Sequence, residues 1–221
     1  MPKKPFTTEE INAQRERIMD SAAQVMAEVG FHHLSMRKLA TELGMTASNI
    51  YNYFPDKETL FLHSRRRGFE LAFAALSRQQ MADSARHALC ASAGQLIAFA
   101  QRWPGYYQLM LQPPLLSLQE ADQASQEIRL QVGRLAEEWQ RHWLALLQDA
   151  VPAMQQQPEP QRMQLALFFI TSLHGLIDAY RYQSLPLLLD GVELIPDALV
   201  QNHLVWLLAA LAQQAEKTGV S

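Results

Sequence analysis

The stretch Leu34-Ser-Met-Arg-Lys-Leu-Ala-Thr-Glu-Leu-Gly-Met-Thr-Ala-Ser-Asn-Ile-Tyr-Asn-Tyr-Phe-Pro-Asp-Lys57 decides the reading of this chain. Ser35 is placed to cap a short helix over 36–43, because its hydroxyl can accept from a free amide of the first turn. Gly44 breaks that helix. Thr46 can cap a second one over about 47–53, and Pro55 ends it, since a residue before proline is pushed out of helical conformation. Leu39, Ala40, Leu43, Met45, Ile50 and Phe54 then form a small shared core, and the small side chain of Ala40 lets the two helices cross closely. Facing outward on the second helix are Thr46, Ala47, Ser48, Asn49, Tyr51, Asn52 and Tyr53. Amides and hydroxyls of this kind suit base edges in a DNA major groove, and tyrosine hydroxyls suit phosphates.

Working outward, Thr7-Thr8-Glu9-Glu10 reads as a capping box, with Phe6 and Ile11 as a hydrophobic staple. Ile11, Ile18, Ala22, Val25, Met26 and Val29 recur at helical spacing and Gly30 follows, which predicts a helix over about 8–29. On the other side, Asp56 caps a longer helix from Lys57 to about Gln80.

With these flanks in place, the pattern S-M-R-K-L-A, then L-G-M-T-A-S-N-I-Y-N-Y-F-P-D-K-E-T-L, resembles the N-terminal signature of the TetR family of transcription regulators over about 8–62. The resemblance implies that Thr46, Ala47, Ser48, Asn49, Tyr51, Asn52 and Tyr53 lie on a recognition helix. It also implies that Ser35, Arg37, Tyr51, Tyr53 and Lys57 contact phosphate; Lys57 would do so at a helix N-terminus, where free amides add to its charge. Ala47 departs from the polar or Gly/Lys residue common there. It could touch a thymine methyl.

Charge distribution agrees with that division. The net charge is −3, but residues 1–67 hold ten Lys/Arg against eight Asp/Glu, or +2, and the remainder nine against fourteen, or −5. Cys90 is the only cysteine, which rules out an intramolecular disulfide and suits a reducing cytosol. The N-terminus has no apolar h-region, so no secretory signal is expected, and the apolar run Leu165–Ile177 is too short to span a bilayer. A cytoplasmic protein with no membrane association is expected.

Beyond the motif the chain reads as helical: Asp83–Arg102, Gly105–Gln112, Leu118–Val151, Arg162–Tyr182 and Pro196–Gln214. A Gln/Pro linker is expected over Gln155–Gln161 and a loop over Ser184–Ile195, with the apolar patch Leu187–Leu189 read as loop or helix end. The fold expected is all-α, with about nine helices. A three-helix DNA-binding domain with its helix-turn-helix fills 1–56, and a larger helical effector-binding and dimerisation domain fills 57–221.

Family proteins dimerise through their last two long helices. The last two here are apolar over more than one stripe, and the expected interface is Phe169, Leu173, Leu176, Tyr180, Leu204, Leu208 and Leu211. The segment Arg102-Trp-Pro-Gly-Tyr-Tyr-Gln-Leu-Met and the dipeptide His174-Gly175 also resemble parts of TetR subfamilies. In that setting Phe99, Trp103, Tyr106, Tyr107, Met110, Trp139, Trp143, Phe168 and His174 are candidates to line a ligand cavity, competing with the plain reading of aromatic residues as core. His174 with Asp178, and Glu138 with His142, sit at i and i+4, which reads as a polar pair on a helix surface. A metal site needs three or four ligands, so no metal and no cofactor is expected. Arg65-Arg66-Arg67 reads as a solvated face that could also meet DNA or the acidic body.

Together these features predict a homodimeric transcription regulator that binds double-stranded DNA at a palindromic operator. It would act as a repressor and be released by a small, largely apolar effector. The alternatives are a ligand-independent DNA-binding regulator controlled by a protein partner, and an enzyme with a structural helix-turn-helix. Against the enzyme, no nucleophile–base set or Gly-rich phosphate loop stands out, and no catalytic residue is assigned.

Overall fold

The computed structural model describes residues 7–77, 83–111, 123–181 and 196–218. Among them are nine α-helices and two short 3₁₀ turns, with no strand: α1 Thr8–Val29, α2 Met36–Glu42, α3 Ala47–Tyr53, α4 Lys57–Leu76, α5 Ala85–Arg102, α6 Pro104–Leu111, α7 Gln123–Ala150, α8 Glu159–Arg181 and α9 Pro196–Thr218. The all-α expectation holds. Phe6, the loop Ser184–Ile195 with Leu187–Leu189, the segment 118–122 and the predicted end of α4 at 78–80 lie outside the described residues.

The chain forms two compact units. The first comprises 1–71 and 103–136, and the second 72–102 and 137–221. α4 and α7 therefore contribute to both.

In the first unit, α1 starts as its sequence dictates. Thr7 Oγ1 accepts from the Glu10 amide and Glu10 Oε2 accepts from the Thr7 amide at 2.8 Å, so two otherwise unpaired donors are satisfied reciprocally. Ile18, Ala22 and Met26 then face the core, while Ile11 and Val29 at the two ends stay exposed. Ser35, Thr46 and Asp56 each accept an amide hydrogen bond at the start of α2, α3 and α4. Gly44 has φ +67°, a left-handed conformation that glycine adopts without steric cost, and this makes the tight turn between α2 and α3. Leu39, Ala40, Leu43, Ile50 and Phe54 are buried beneath that turn. Met45 is only partly covered, its sulfur accepting from Gln14 Nε2 at 3.1 Å.

The second unit is built on aromatic packing. Trp143 meets Trp139 with ring centroids 5.8 Å apart and Phe169 at 6.0 Å, and Phe73 meets Trp139 edge-on at 5.4 Å. α8 packs on α5 and α9, and Leu204, Leu208 and Leu211 of α9 are buried there. Side chains of this size contribute about 1.5–3 kcal/mol each on full burial.

Between α7 and α8 the structure corrects the expected linker. Pro152–Gln156 is a 3₁₀ turn, and α8 begins at Glu159, ahead of the predicted Arg162. Pro160 sits in the first turn of α8, where a missing amide hydrogen is tolerated. Met154 and Gln157 are buried, and Gln157 Nε2 donates to the Ala215 carbonyl near the end of α9 at 2.7 Å. A polar-looking stretch is thus an ordered lock on α9.

Candidate nucleic-acid interface

The second short helix of the first unit, α3, has one buried residue, Ile50, that anchors it. The remainder divides cleanly. Ser48, Asn49, Tyr51 and Asn52 are exposed, Thr46 is exposed at the N-cap, and Ala47 and Tyr53 are half-buried. Tyr51, bracketed by Ile50 and Phe54, could have belonged to the core; it is 42% exposed. Arg37 and Lys38 are exposed on α2. The cap hydroxyls of Ser35 and Thr46 accept backbone hydrogen bonds, which leaves each with a proton to donate outward. Lys57 is half-buried, and its Nζ donates to the His32 carbonyl at 3.3 Å, tying α4 to the 3₁₀ turn Phe31–His33.

Residues outside the motif hold this surface in place. Arg15 donates to the Tyr53 carbonyl at 3.0 Å, and its guanidinium lies 4.6 Å from the centre of the Phe54 ring. Arg17 donates to the Leu43 carbonyl at 3.3 Å. Both carbonyls lie at helix C-terminal ends, where no intrahelical amide reaches them and a cation is favoured. Reading the sequence counted these arginines only as charge.

Burial, with the positive charges of Arg15 and Arg66 adding to it, lowers the pKa of His63 to about 4. The imidazole is therefore neutral at physiological pH, and Nε2 can accept from Arg15 at 3.4 Å.

The arginine triplet is not a solvated face. Arg65 donates to the Met110 carbonyl, Arg66 pairs with Glu70 and reaches Gln131, and Arg67 pairs with Asp20 and Glu16. All three are half-buried on protein partners.

The other candidate residues fall as follows. Trp103, Tyr106, Tyr107 and Met110 belong to the first unit, and the last three are buried. Phe99, Trp139 and Trp143 are buried in the second unit. His174 Nε2 lies 3.4 Å from Asp178 Oδ2, the pairing expected of an i and i+4 pair. Phe168 is 48% exposed and lines a groove of about 360 Å³ with Leu165, Leu211, Ala210 and the glutamines 161, 164 and 214.

Phe169, Leu173, Leu176, Leu204, Leu208 and Leu211 are buried by their own chain. The side chain of Tyr180 lies outside the described residues. Among the described residues, the large apolar groups that α8 and α9 leave exposed are instead Met163, Leu167, Phe168, Val205 and Trp206, with Trp206 67% exposed. Among the described residues no helix is long and apolar enough to cross a membrane, and no three His, Cys, Asp or Glu side chains converge.

Comparison with known proteins agrees with this geometry. Residues 18–63 match the model of the bacterial regulatory proteins of the tetR family. A helix-turn-helix transcriptional repressor of Mycobacterium tuberculosis is 32% identical over 91 residues, covering 41% of this chain and 48% of that protein. The chain thus matches about half the length of that relative. Among solved structures, the fatty acid degradation regulator FadR of Bacillus halodurans superposes with a TM-score of 0.64 at 18% identity, covering 93% of this chain and 97% of that one. The regulator AibR, in complex with isovaleryl coenzyme A and operator DNA, gives 0.65 at 18% identity, covering 86% and 96%. Those two likenesses establish the shared fold. Over residues 18–63 the capped helices thus match the model of the tetR family of bacterial regulatory proteins, and over most of its length the chain shares the fold of the two solved regulators.

Proposed function

We propose that the protein is a ligand-responsive, DNA-binding transcription regulator, and that it represses from a palindromic operator as a homodimer in the cytoplasm. One observation carries the reading: the exposed face of α3 presents Thr46, Ser48, Asn49, Tyr51 and Asn52 together, beside exposed Arg37 and Lys38. Amide and hydroxyl groups read base edges, and the flanking cations and hydroxyls of Ser35, Tyr53 and Lys57 hold phosphates. Ala47 sits on the same helix, where its methyl group would meet a thymine. Residues 1–56 form the reading domain and 57–221 the effector-binding and dimerisation domain.

The dimer forms through α8 and α9. Its contact face is Met163, Leu167, Phe168, Val205 and Trp206, because the inward side chains of these helices are already occupied by their own core. A two-fold axis there presents two copies of α3 to half-sites one helical turn or a multiple apart. A small, largely apolar effector binds the C-terminal body and shifts the population away from the DNA-competent spacing. Candidate lining residues within the second unit are the aromatic groups Phe99, Trp139, Trp143 and Phe168, with His174.

The direct test is a gel shift and footprint on the promoter region of its own gene at moderate salt. Protection of a palindrome is the expected result, and absence of sequence-preferring binding across candidate operators overturns the reading. Acyl-coenzyme A thioesters make a reasonable first effector panel, since a protein of the same fold was solved with one.

A further inference from the structure

Within the first unit, α6 is seated directly on α1. At Gly105 the backbones approach so closely that a Cβ would lie 2.1 Å from the Ala23 carbonyl oxygen and 2.4 Å from its carbon. Only glycine allows this seat. Next to it, the Tyr106 hydroxyl donates to Asp20 Oδ1 at 2.6 Å, and Arg67 Nε pairs with the same oxygen at 3.2 Å while another of its nitrogens reaches Glu16 at 3.1 Å. Tyr106 is 1% exposed. Glu16, Asp20, Ala23 and Gln24 recur at spacings of three and four residues and so share one stripe of α1.

On the same helix, Gln14, Arg15 and Arg17 grip the recognition elements through Met45, the Tyr53 carbonyl and the Leu43 carbonyl. The two sets of contacts are centred roughly 8–10 Å apart along the axis.

We propose that Tyr106, Asp20 and Arg67 form a clasp holding α6 on α1, and that α1 carries displacement of α6 to the recognition helix α3. The proposal rests on the regulator reading above. Its physical content is that α1 is a continuous helix of 22 residues held at both places by short polar contacts. A rotation or slide of α6 cannot be absorbed at Gly105, where the backbones already touch. It is passed to Asp20 and, through the helix, to the two arginines that position the ends of α2 and α3. Tyr106 and Asp20 are positioning residues; neither touches DNA.

The test uses the full chain and the promoter fragment that wild-type protein retains. Tyr106→Phe keeps the ring and removes the donor of the short hydrogen bond, and Asp20→Asn keeps the shape and an acceptor oxygen but removes the charge that Tyr106 and Arg67 both meet. Gly105→Ala keeps every polar group and pushes α6 off its seat. Each single variant is expected to weaken operator binding about fivefold or more, the lower end of coupling between sites. The loss in the double variant Tyr106→Phe with Asp20→Asn is expected to be smaller than the sum of the two single losses, because both changes act on one shared contact. Amide hydrogen exchange at 49–53 is expected to quicken in free protein.

A control separates the relay from plain loss of stability. Met154→Ala, in the core of the second unit, should lower Tm yet leave operator affinity unchanged at temperatures well below unfolding. Wild-type-like binding by all three single variants, simple additivity in the double variant, or an equal loss of binding in Met154→Ala overturns the relay. If wild-type protein retains no fragment, the regulator reading fails by itself. The relay is then judged on hydrogen exchange, where unchanged rates at 49–53 in Tyr106→Phe overturn it.

Discussion

The proposed recognition helix α3 and the terminal pair α8 and α9 are read from sequence with opposite ease. α3 has seven residues, a capping threonine before it, one anchoring isoleucine and a terminating proline two residues beyond its end. Almost every position has one physical role. α8 and α9 have 23 residues each and apolar side chains on more than one side. Which of those sides faces the chain's own core is not written in the helical period, because two apolar stripes satisfy it equally well. Short polar elements with caps declare their orientation. Long apolar ones declare only that they are helices.

That contrast is sharpest at two neighbouring phenylalanines. Phe169 is fully buried against Trp143, and Phe168 beside it is 48% exposed. Phe169→Ala is expected to destabilise the protein by about 3–5 kcal/mol, as truncation of a buried aromatic does, and to lower Tm in a thermal melt. Phe168→Ala should leave monomer stability within about 0.5 kcal/mol of wild type. Equal losses in the two melts would erase the distinction between the inner and outer faces of α8.

The outer face supplies the next largest effect. Trp206 is the most exposed large apolar side chain described, and the proposed dimer places it in the contact. Trp206→Glu is expected to weaken dimerisation by about 2 kcal/mol or more, the scale of an interface anchor. Sedimentation at micromolar concentration should show a shift toward monomer, with helical content unchanged. A dimer as tight as wild type would move the interface elsewhere.

On the recognition helix the expected changes fall in affinity alone. Asn49 is exposed, and its backbone amide donates to the Thr46 cap. Asn49→Ala should cost about 1–3 kcal/mol of operator discrimination, the worth of one good base contact, with Tm unchanged. Loss of stability without loss of affinity would mark Asn49 as structural.

The sequence made the first unit's helices legible because their boundaries are set by local chemistry: Thr7 with Glu10, Ser35, Gly44, Thr46, Pro55 and Asp56. The helices of the second unit were legible in number, but the partition of their side chains was not. Leu173 and Leu167 are both leucines of one helix, and only the position of α5 and α9 distinguishes the buried one from the exposed one. Gln157 hid for a related reason. A glutamine among prolines reads as linker until its amide is seen on the Ala215 carbonyl. Tyr106, Asp20 and Arg67 are far apart along the chain, and no periodicity connects them. Their meeting depends on α6 landing on α1, which glycine at 105 permits and sequence spacing alone does not announce.

The smallest expected effect tests the support beneath the recognition helix. The pKa of His63 is lowered to about 4 by burial, aided by Arg15 and Arg66, against an unperturbed value near 6.5. The unfolded chain therefore binds a proton at a higher pH than the folded one. Stability from this residue is complete above the unfolded value, and it declines as pH falls from about 6.5 toward 4. Because the ring is partly exposed, solvent screening limits the effect to the order of 1 kcal/mol. His63→Gln, which keeps a polar group beside Arg15 but cannot titrate, should flatten that part of a plot of Tm against pH. The carboxylates contribute their own slope in both proteins, so the informative quantity is the difference between the two curves. A difference that stays constant from pH 7 to 4 would mean that His63 titrates alike in both states. Burial of the ring, aided by Arg15 and Arg66, would then not be what keeps the imidazole neutral.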